Sequence, residues 1–197
     1  MQTRMNTKTK ARSKAVQALV LLIPLLLLMD TAGAAPAGAM ARGKRAPGFN
    51  LNVLGGGDTT MRLGDLIGKR AKAPARLVVL SFFATWCKPC KAEMPILQTI
   101  HETLGPKGVK VLSVVVEGAD DRPQKEILAE VRGWAEEKGV TFPILYDPFL
   151  RDVVAKRYLG QAMQLPGVYL ITPDGRIKAS WHEKRNDLKK LIEEHLR

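Results

Sequence analysis

The chain has 197 residues and a formal net charge of +12 at pH 7, with 2 cysteines and 3 histidines. No block of clustered Lys and Arg stands beside aromatic residues after residue 45, so the charge does not indicate a nucleic-acid-binding protein. We expect an ordinary solvated basic surface with a weak attraction to anionic membranes or acidic partners.

The first 34 residues have the three-part layout of a secretory signal peptide. A basic segment precedes an apolar stretch at 15–29, and Ala32-Gly33-Ala34 follows. Pro24 interrupts the apolar stretch, which is shorter than the roughly 20 residues that a membrane-spanning helix needs. We predict cleavage after Ala34 and export to the periplasm. An uncleaved leader that tethers the protein to the membrane, with the domain facing the periplasm or cell exterior, is the alternative.

Removal of residues 1–34 leaves 163 residues (197 minus 34), about the size of one domain. The leader carries five basic residues and Asp30, a net charge of +4, so +8 of the +12 remains. Residues 35–45 are small, glycine-rich and basic, which predicts a flexible linker. The folded domain is predicted over residues 46–197.

The folded part is predicted to begin with a β-hairpin. Residues 49–54 alternate apolar and polar side chains, residues 55–58 form a glycine-rich turn, and residues 59–63 return as the second strand. The continuous apolar run at 77–83 then predicts a strand buried on both faces of a sheet.

Helices and strands alternate in the remainder of the chain. The predicted elements are a helix at 87–104 kinked at Pro95, a strand at 109–116, a helix at 122–138, a strand at 142–146, a short helix at 153–158, a hairpin of strands 168–171 and 176–181, and a final amphipathic helix ending near Leu196. This order predicts an α/β fold, a mixed sheet with helices on both faces.

Both cysteines lie in Trp86-Cys87-Lys88-Pro89-Cys90, between the strand at 77–83 and the following helix. The strand delivers Cys87 to a helix N-terminus, where free backbone N–H groups and the helix dipole stabilise a thiolate. A thiolate is the species that attacks disulfides, and its fraction rises as the thiol pKa falls below its usual value of about 8.5. The motif therefore predicts a thiol-disulfide exchange site.

Other uses of the two cysteines were weighed. A purely structural disulfide would close a four-residue loop and contribute only about 2 kcal/mol. Zinc would need two more ligands, whereas His101, His182 and His195 are scattered singly. Copper held by the two thiolates, with a methionine or His182, stays open and would make the protein a copper-delivery module.

The motif and the order of elements resemble the thioredoxin superfamily, specifically the exported branch of TlpA, ResA and CcmG proteins with an AhpC/TSA-redoxin-like domain. Ala46-Pro47-Gly48-Phe49 opens the hairpin, Lys91-Ala92-Glu93-Met94-Pro95 follows the second cysteine, and Leu165-Pro166 precedes the last hairpin. The resemblance covers residues 46–197. It implies a thioredoxin fold, a central mixed β-sheet flanked by helices, with an N-terminal β-hairpin extension.

The resemblance also implies roles for residues around the motif. Cys87 would be the exposed nucleophile and Cys90 the buried resolving thiol. Pro166 would be a cis-proline facing the disulfide, where the backbone of Leu165 can pair with a bound substrate strand. Gly167 stands where many relatives carry a threonine, so we expect a looser substrate groove.

Three neighbours of the cysteines are assigned supporting roles. Trp86 is expected to pack beside the site. Lys88 and Pro89 are expected to tune the reduction potential and to start the helix.

Glu93 stands three residues after Cys90 and can lie on the same side of the helix. There it could accept a proton or raise a thiol pKa by like charge. Related exported reductases carry a matching acid. The alternative is an exposed carboxylate paired with nearby lysines.

We therefore expect an exported protein-disulfide reductase without cofactor or metal, which acts on exported proteins such as apocytochrome c. The resemblance implies a membrane electron donor of the DsbD or CcdA kind. A disulfide-donating oxidase uses the same residues and stays open.

A peroxiredoxin-type peroxidase would need Pro-x-x-x-Thr-x-x-Cys, but Thr85 stands only two residues before Cys87 and no proline occupies the matching place.

Overall fold

The structure is a computed structural model and describes residues 39–117, 122–147 and 151–196. The predicted leader, residues 1–34, lies outside the described residues. The elements are β1 (Asn50–Val53), β2 (Thr60–Arg62), α1 (Leu63–Leu66), β3 (Leu77–Phe83), α2 (Lys88–Leu104), a 3-10 turn (Gly105–Lys107), β4 (Val109–Val115), α3 (Gln124–Glu137), β5 (Ile144–Tyr146), α4 (Val153–Leu159), β6 (Gly167–Ile171), β7 (Ile177–Trp181) and α5 (Leu188–Leu196). No helix among these residues combines the length and apolar character needed to cross a membrane.

The strands form one mixed sheet in the order β2-β1-β5-β4-β3-β6-β7. Strands β3, β4 and β5 run parallel, whereas β1, β2, β6 and β7 enter as antiparallel neighbours. The predicted mixed sheet and N-terminal hairpin are confirmed, and β1 extends the sheet by pairing with β5.

Strand β3 occupies an inner position and is buried at all seven residues. Its continuous apolar sequence fits this position, because helices cover both faces of the sheet. Helices α2, α3 and α5 supply buried side chains to one face, and α4 with the segment before β3 supplies them to the other.

Several strands are one or two residues shorter than predicted, and two of these differences have local explanations. The strand predicted at 59–63 ends at Arg62, and Leu63 opens the four-residue helix α1. The strand predicted at 142–146 begins at Ile144. Pro143 has no N–H group to donate to a sheet ladder, which explains the later start.

The described part of the predicted flexible linker is docked on the domain, which corrects that expectation. The Met40 N–H donates to the Tyr158 carbonyl at 2.8 Å, and the Gly43 N–H donates to the Ile177 carbonyl at 2.7 Å. The Ile177 N–H donates in turn to the Lys44 carbonyl at 2.8 Å. Strand β7 lies at the sheet edge, so these bonds satisfy backbone groups that would otherwise be free.

The space beside Gly167 is also filled rather than open. A Cβ atom built at Gly167 would lie 2.3 Å from Leu159 Cδ2, far inside normal contact distance. Leu159 is fully buried in helix α4. Glycine is therefore required by the close approach of this helix, and the expected looser groove at this position is wrong.

We predict that Gly167→Ala lowers the free energy of unfolding by about 1–3 kcal/mol, because the added methyl group overpacks against Leu159. Urea unfolding of the oxidised protein measures the change. Gly133→Ala is the matched control: Gly133 lies within helix α3, and nothing lies within 4 Å of its built Cβ. The control should be neutral or stabilising, and equal stability of the two variants would contradict the packing argument.

Candidate active site

Cys87 and Cys90 form a disulfide at the N-terminus of helix α2, with Cα atoms 5.3 Å apart. Cys87 is the N-cap residue, and its Sγ accepts the Cys90 N–H at 3.3 Å. The sequence-based placement at the end of the buried strand and the start of the helix is confirmed. A negative charge on this sulfur would be stabilised by the N–H groups of the first turn.

Both cysteines are buried in this oxidised form: Cys87 is 4% exposed and Cys90 is 2% exposed. The expectation of an exposed Cys87 is therefore wrong here, since the disulfide holds its sulfur over the first turn of α2. Trp86, which was expected to pack beside the site, is 61% exposed and presents an apolar surface next to Cys87 in the chain.

Lys88 and Pro89 are exposed and form the first turn of α2. Proline is well suited to this turn because the N–H that it lacks would have no partner within the helix. Both residues therefore start the helix, as expected.

The Leu165–Pro166 peptide bond is cis, as the resemblance implied. Gly167 pairs with Phe82 across the antiparallel β6–β3 ladder, so Pro166 lies at the end of the sheet where Cys87 follows β3. Pro166 is buried, and the half-buried Leu165 packs against the apolar cluster that contains both cysteines.

Glu93 is buried in helix α2, with 1% of its surface exposed. Its Oε1 accepts the backbone N–H of Arg185 at 3.2 Å. Its Oε2 is buried and has no hydrogen-bond partner among the described residues. The alternative of an exposed, lysine-paired carboxylate is therefore wrong.

Burial raises the pKa of Glu93 from its ordinary value of 4.5 to about 7. The Arg185 hydrogen bond and the charge of Lys184 oppose this increase without overcoming the loss of hydration. A carboxyl group that takes up and releases a proton near neutral pH thus lies three residues from Cys90.

Glu117 is a buried carboxyl group next to the loop that leads to Cys87, and the sequence analysis missed it. It is buried at the end of strand β4, where its Oε1 accepts the Thr85 N–H at 2.9 Å and its Oε2 accepts the Thr85 hydroxyl at 3.1 Å. These bonds fix the loop that leads to Cys87. The sequence did contain a signal for this residue. Glu117 closely follows a buried strand that runs parallel to β3, and the carboxyl ends of parallel strands meet at one edge of the sheet.

In the described residues, no group of three or more His, Cys, Asp and Glu is arranged to hold a metal ion. His182 lies beside Tyr169, with ring centroids 5.5 Å apart and Nε2 3.4 Å from the tyrosine hydroxyl.

Comparison with known proteins agrees with this geometry. The family model described as AhpC/TSA family matches residues 42–180. The thiol-disulfide oxidoreductase ResA of Geobacillus kaustophilus (strain HTA426) is 36% identical over 140 residues, which cover 71% of this chain and 68% of that protein. ResA of Oceanobacillus iheyensis is 33% identical over 138 residues, and the aligned part spans only 62% of its length and 69% of this chain.

A solved structure shows the same fold. The thioredoxin domain of a thiol-disulfide oxidoreductase from Bacteroides vulgatus superposes with a TM-score of 0.63 at 22% identity, covering 81% of this chain and 100% of that domain. Fold, disulfide and relatives define a thioredoxin-like thiol-disulfide oxidoreductase. The chain belongs to the AhpC/TSA family.

We predict that Glu93 makes the stability of the oxidised protein depend on pH. Because the pKa of Glu93 is about 7 in the folded state and 4.5 ordinarily, the folded protein binds its proton more tightly than the unfolded chain. The free energy of unfolding should fall by at most about 3 kcal/mol as the pH rises from about 4.5 to 7. Above pH 7 it should stay constant, because Glu93 is then ionised in both the folded and the unfolded state.

Glu93→Gln should remove this fall, which urea titrations between pH 4.5 and 8 would measure as the difference between wild type and variant. Glu136→Gln, at an exposed position of helix α3, is the matched control. Parallel pH profiles for wild type and Glu93→Gln would contradict the assignment.

We predict that Glu117→Ala destabilises the oxidised protein by about 1–3 kcal/mol, because the Thr85 N–H and hydroxyl lose their acceptors. Thr85→Val removes only the hydroxyl donor. The double variant should cost less than the two single changes together, and strict additivity in denaturant unfolding would show that the pair is not coupled.

Proposed function

We propose that the protein is exported and reduces disulfides of exported proteins through a Cys87/Cys90 dithiol cycle. The observation that carries this proposal is the disulfide at the N-terminus of α2, with the buried Glu93 three residues beyond Cys90. The same end of the sheet carries the cis Leu165–Pro166 bond.

The cycle begins with the reduced pair. The Cys87 thiolate attacks one sulfur of the substrate disulfide, a mixed disulfide forms, and the other substrate sulfur leaves as a thiolate that takes up a proton. Cys90 then loses its proton and attacks Cys87 Sγ. This step releases the second substrate thiolate and leaves the Cys87–Cys90 disulfide of the present structure. The substrate gains two electrons and the protein loses two.

Glu93 is proposed to accept the Cys90 proton. A pKa of about 7 lets this carboxyl be ionised in part of the population and protonated in the rest at neutral pH. Its unpartnered Oε2 can hold that proton without breaking the Arg185 hydrogen bond to Oε1.

Substrate is proposed to bind across the surface formed by Trp86, Leu165 and Pro166. Trp86 offers exposed apolar area beside the disulfide, and the Leu165 backbone can pair with an extended substrate strand.

An external dithiol must return two electrons to the oxidised pair. We assign this step to a membrane thiol-disulfide transporter of the DsbD or CcdA kind, and we include apocytochrome c among the substrates. The predicted leader and the likeness to ResA proteins support an exported, periplasmic site of action, with the domain either released or tethered by the leader.

The reduction potential of the Cys87/Cys90 pair tests the direction of the cycle. Equilibration in defined thiol buffers should give about −270 mV or lower, as in reducing thioredoxins. A value of about −120 to −180 mV would instead establish a disulfide-donating oxidase or isomerase.

Trapping tests the roles of the two cysteines. Cys90→Ser should accumulate a mixed disulfide with substrate, because the resolving thiol is gone, and Cys87→Ser should not. Mass spectrometry of thiol-blocked extracts measures both. Full disulfide-reducing activity in Cys87→Ser would refute the cycle, and stoichiometric Cu(I) binding without any reducing activity would establish the copper-delivery alternative.

A further inference from the structure

The end of the sheet opposite the disulfide carries an unusual excess of positive charge. Four segments form this end, which we call the basic face: 39–46 before β1, 68–76 before β3, 105–108 before β4, and 172–176 between β6 and β7. They contain Arg42, Lys44, Arg45, Lys69, Arg70, Lys72, Arg76, Lys107 and Arg176, with Asp174 as the single acidic residue.

Three backbone hydrogen bonds join the four segments into one surface. The Arg76 N–H donates to the Gly108 carbonyl at 2.9 Å, which links the segments before β3 and β4. The Gly68 N–H donates to the Pro173 carbonyl at 2.9 Å, and the Ala46 N–H donates to the Gly175 carbonyl at 2.8 Å.

The basic face accounts for the whole net charge of the folded part. Nine basic residues and one acid give +8, which equals the charge that remains after the leader is subtracted from +12. The rest of residues 35–197 is therefore balanced. Within these four segments, nine positive charges are offset by one acidic residue.

The charges on this face are available to solvent. All nine basic residues are exposed. Among the described residues, the Arg176 Nε to Asp174 Oδ2 contact at 3.4 Å is the one ion pair that any of them makes with a carboxylate.

The basic face and the disulfide lie at opposite ends of strand β3. At the amino end of β3, Leu77 pairs with Val109 of β4 and Val78 pairs with Ile171 of β6, and the basic segments adjoin these residues. At the carboxyl end, Phe83 leads toward Cys87. A seven-residue strand spans roughly 20 Å. A surface that contacts the basic face therefore leaves the cysteines free on the far side.

We propose that the basic face docks on an anionic phospholipid bilayer and orients the disulfide away from the membrane. Charge complementarity is the first argument, because juxtamembrane Lys and Arg are attracted to anionic headgroups. The second is continuity: segment 39–46 is part of the face, and the apolar stretch at 15–29 precedes it in the chain.

The composition of the face disfavours the other anionic partners. Its four segments contain no aromatic residue and consist mainly of Lys, Arg, Ala, Gly and Pro. Protein interfaces rely on buried aromatic anchors, and single-stranded nucleic acids need aromatic stacking platforms. A fluid layer of charged headgroups needs neither.

Lysine footprinting of the full chain tests the proposal residue by residue. The protein is mixed with phosphatidylcholine vesicles, with or without phosphatidylglycerol, labelled briefly with an amine-acetylating reagent, and analysed by mass spectrometry. With phosphatidylglycerol, labelling should slow at Lys44, Lys69, Lys72 and Lys107, whereas labelling of Lys125 and Lys190 should not change. Comparison of the two lipids measures the effect of headgroup charge, to which the leader with its net charge of +4 also contributes. The positions of the protected lysines separate the basic face from the leader.

Charge removal provides the second measurement. A triple variant of the basic face carries Lys69→Gln, Arg70→Gln and Lys72→Gln. Its affinity for phosphatidylglycerol vesicles relative to phosphatidylcholine vesicles should fall by about 100-fold at low salt, because each lost charge lowers the affinity by about fivefold. The matched control is a triple variant that carries Lys125→Gln, Arg132→Gln and Lys190→Gln. It loses the same total charge, but from exposed positions in helices α3 and α5.

Three results would overturn the proposal. Equal losses for the two triple variants would show attraction by net charge without an oriented face. Uniform or absent protection of the lysines would show that the face does not meet lipid. Protection by polyglutamate or a single-stranded oligonucleotide, but not by vesicles, would assign the face to an acidic polymer instead.

Discussion

Burial of strand β3 on both faces of the sheet is the constraint on which the rest of the structure depends. Its seven buried residues pair with β4 on one side, and five of them pair with β6 on the other, so the strand has one direction and two distinct ends. Its carboxyl end delivers Cys87 to the first turn of α2. Its amino end begins beside the basic segments. The disulfide and the basic face are therefore separated by the length of this strand.

The active-site end contains two buried carboxyl groups with different surroundings. Glu117 accepts two hydrogen bonds from Thr85, and these hold the loop that leads to the disulfide. Glu93 accepts one backbone N–H, and its second oxygen is buried without a hydrogen bond from the described residues. Loss of hydration dominates at Glu93, which is why its pKa rises to about 7. One acid positions the loop, and the other is suited to proton exchange.

Two expectations from the sequence fail for local packing reasons. At Gly167, helix α4 places Leu159 where a side chain would stand. Residues 40–45 do not hang free, because the edge strand β7 offers backbone groups that they satisfy. In both places a contact between segments far apart in the chain sets the local structure.

The sequence by itself determined the strand order along the chain, the α/β class, and the position of Cys87 at a helix N-terminus. These follow from local periodicity and from the spacing of a single motif, which act within one segment of chain. Tertiary structure alone decided the burial of Glu93, the Thr85–Glu117 pairing and the filling of the space at Gly167. It also decided that the scattered basic residues share one end of the sheet. Each of these depends on segments far apart in sequence meeting in space, and neither periodicity nor composition encodes which segments meet.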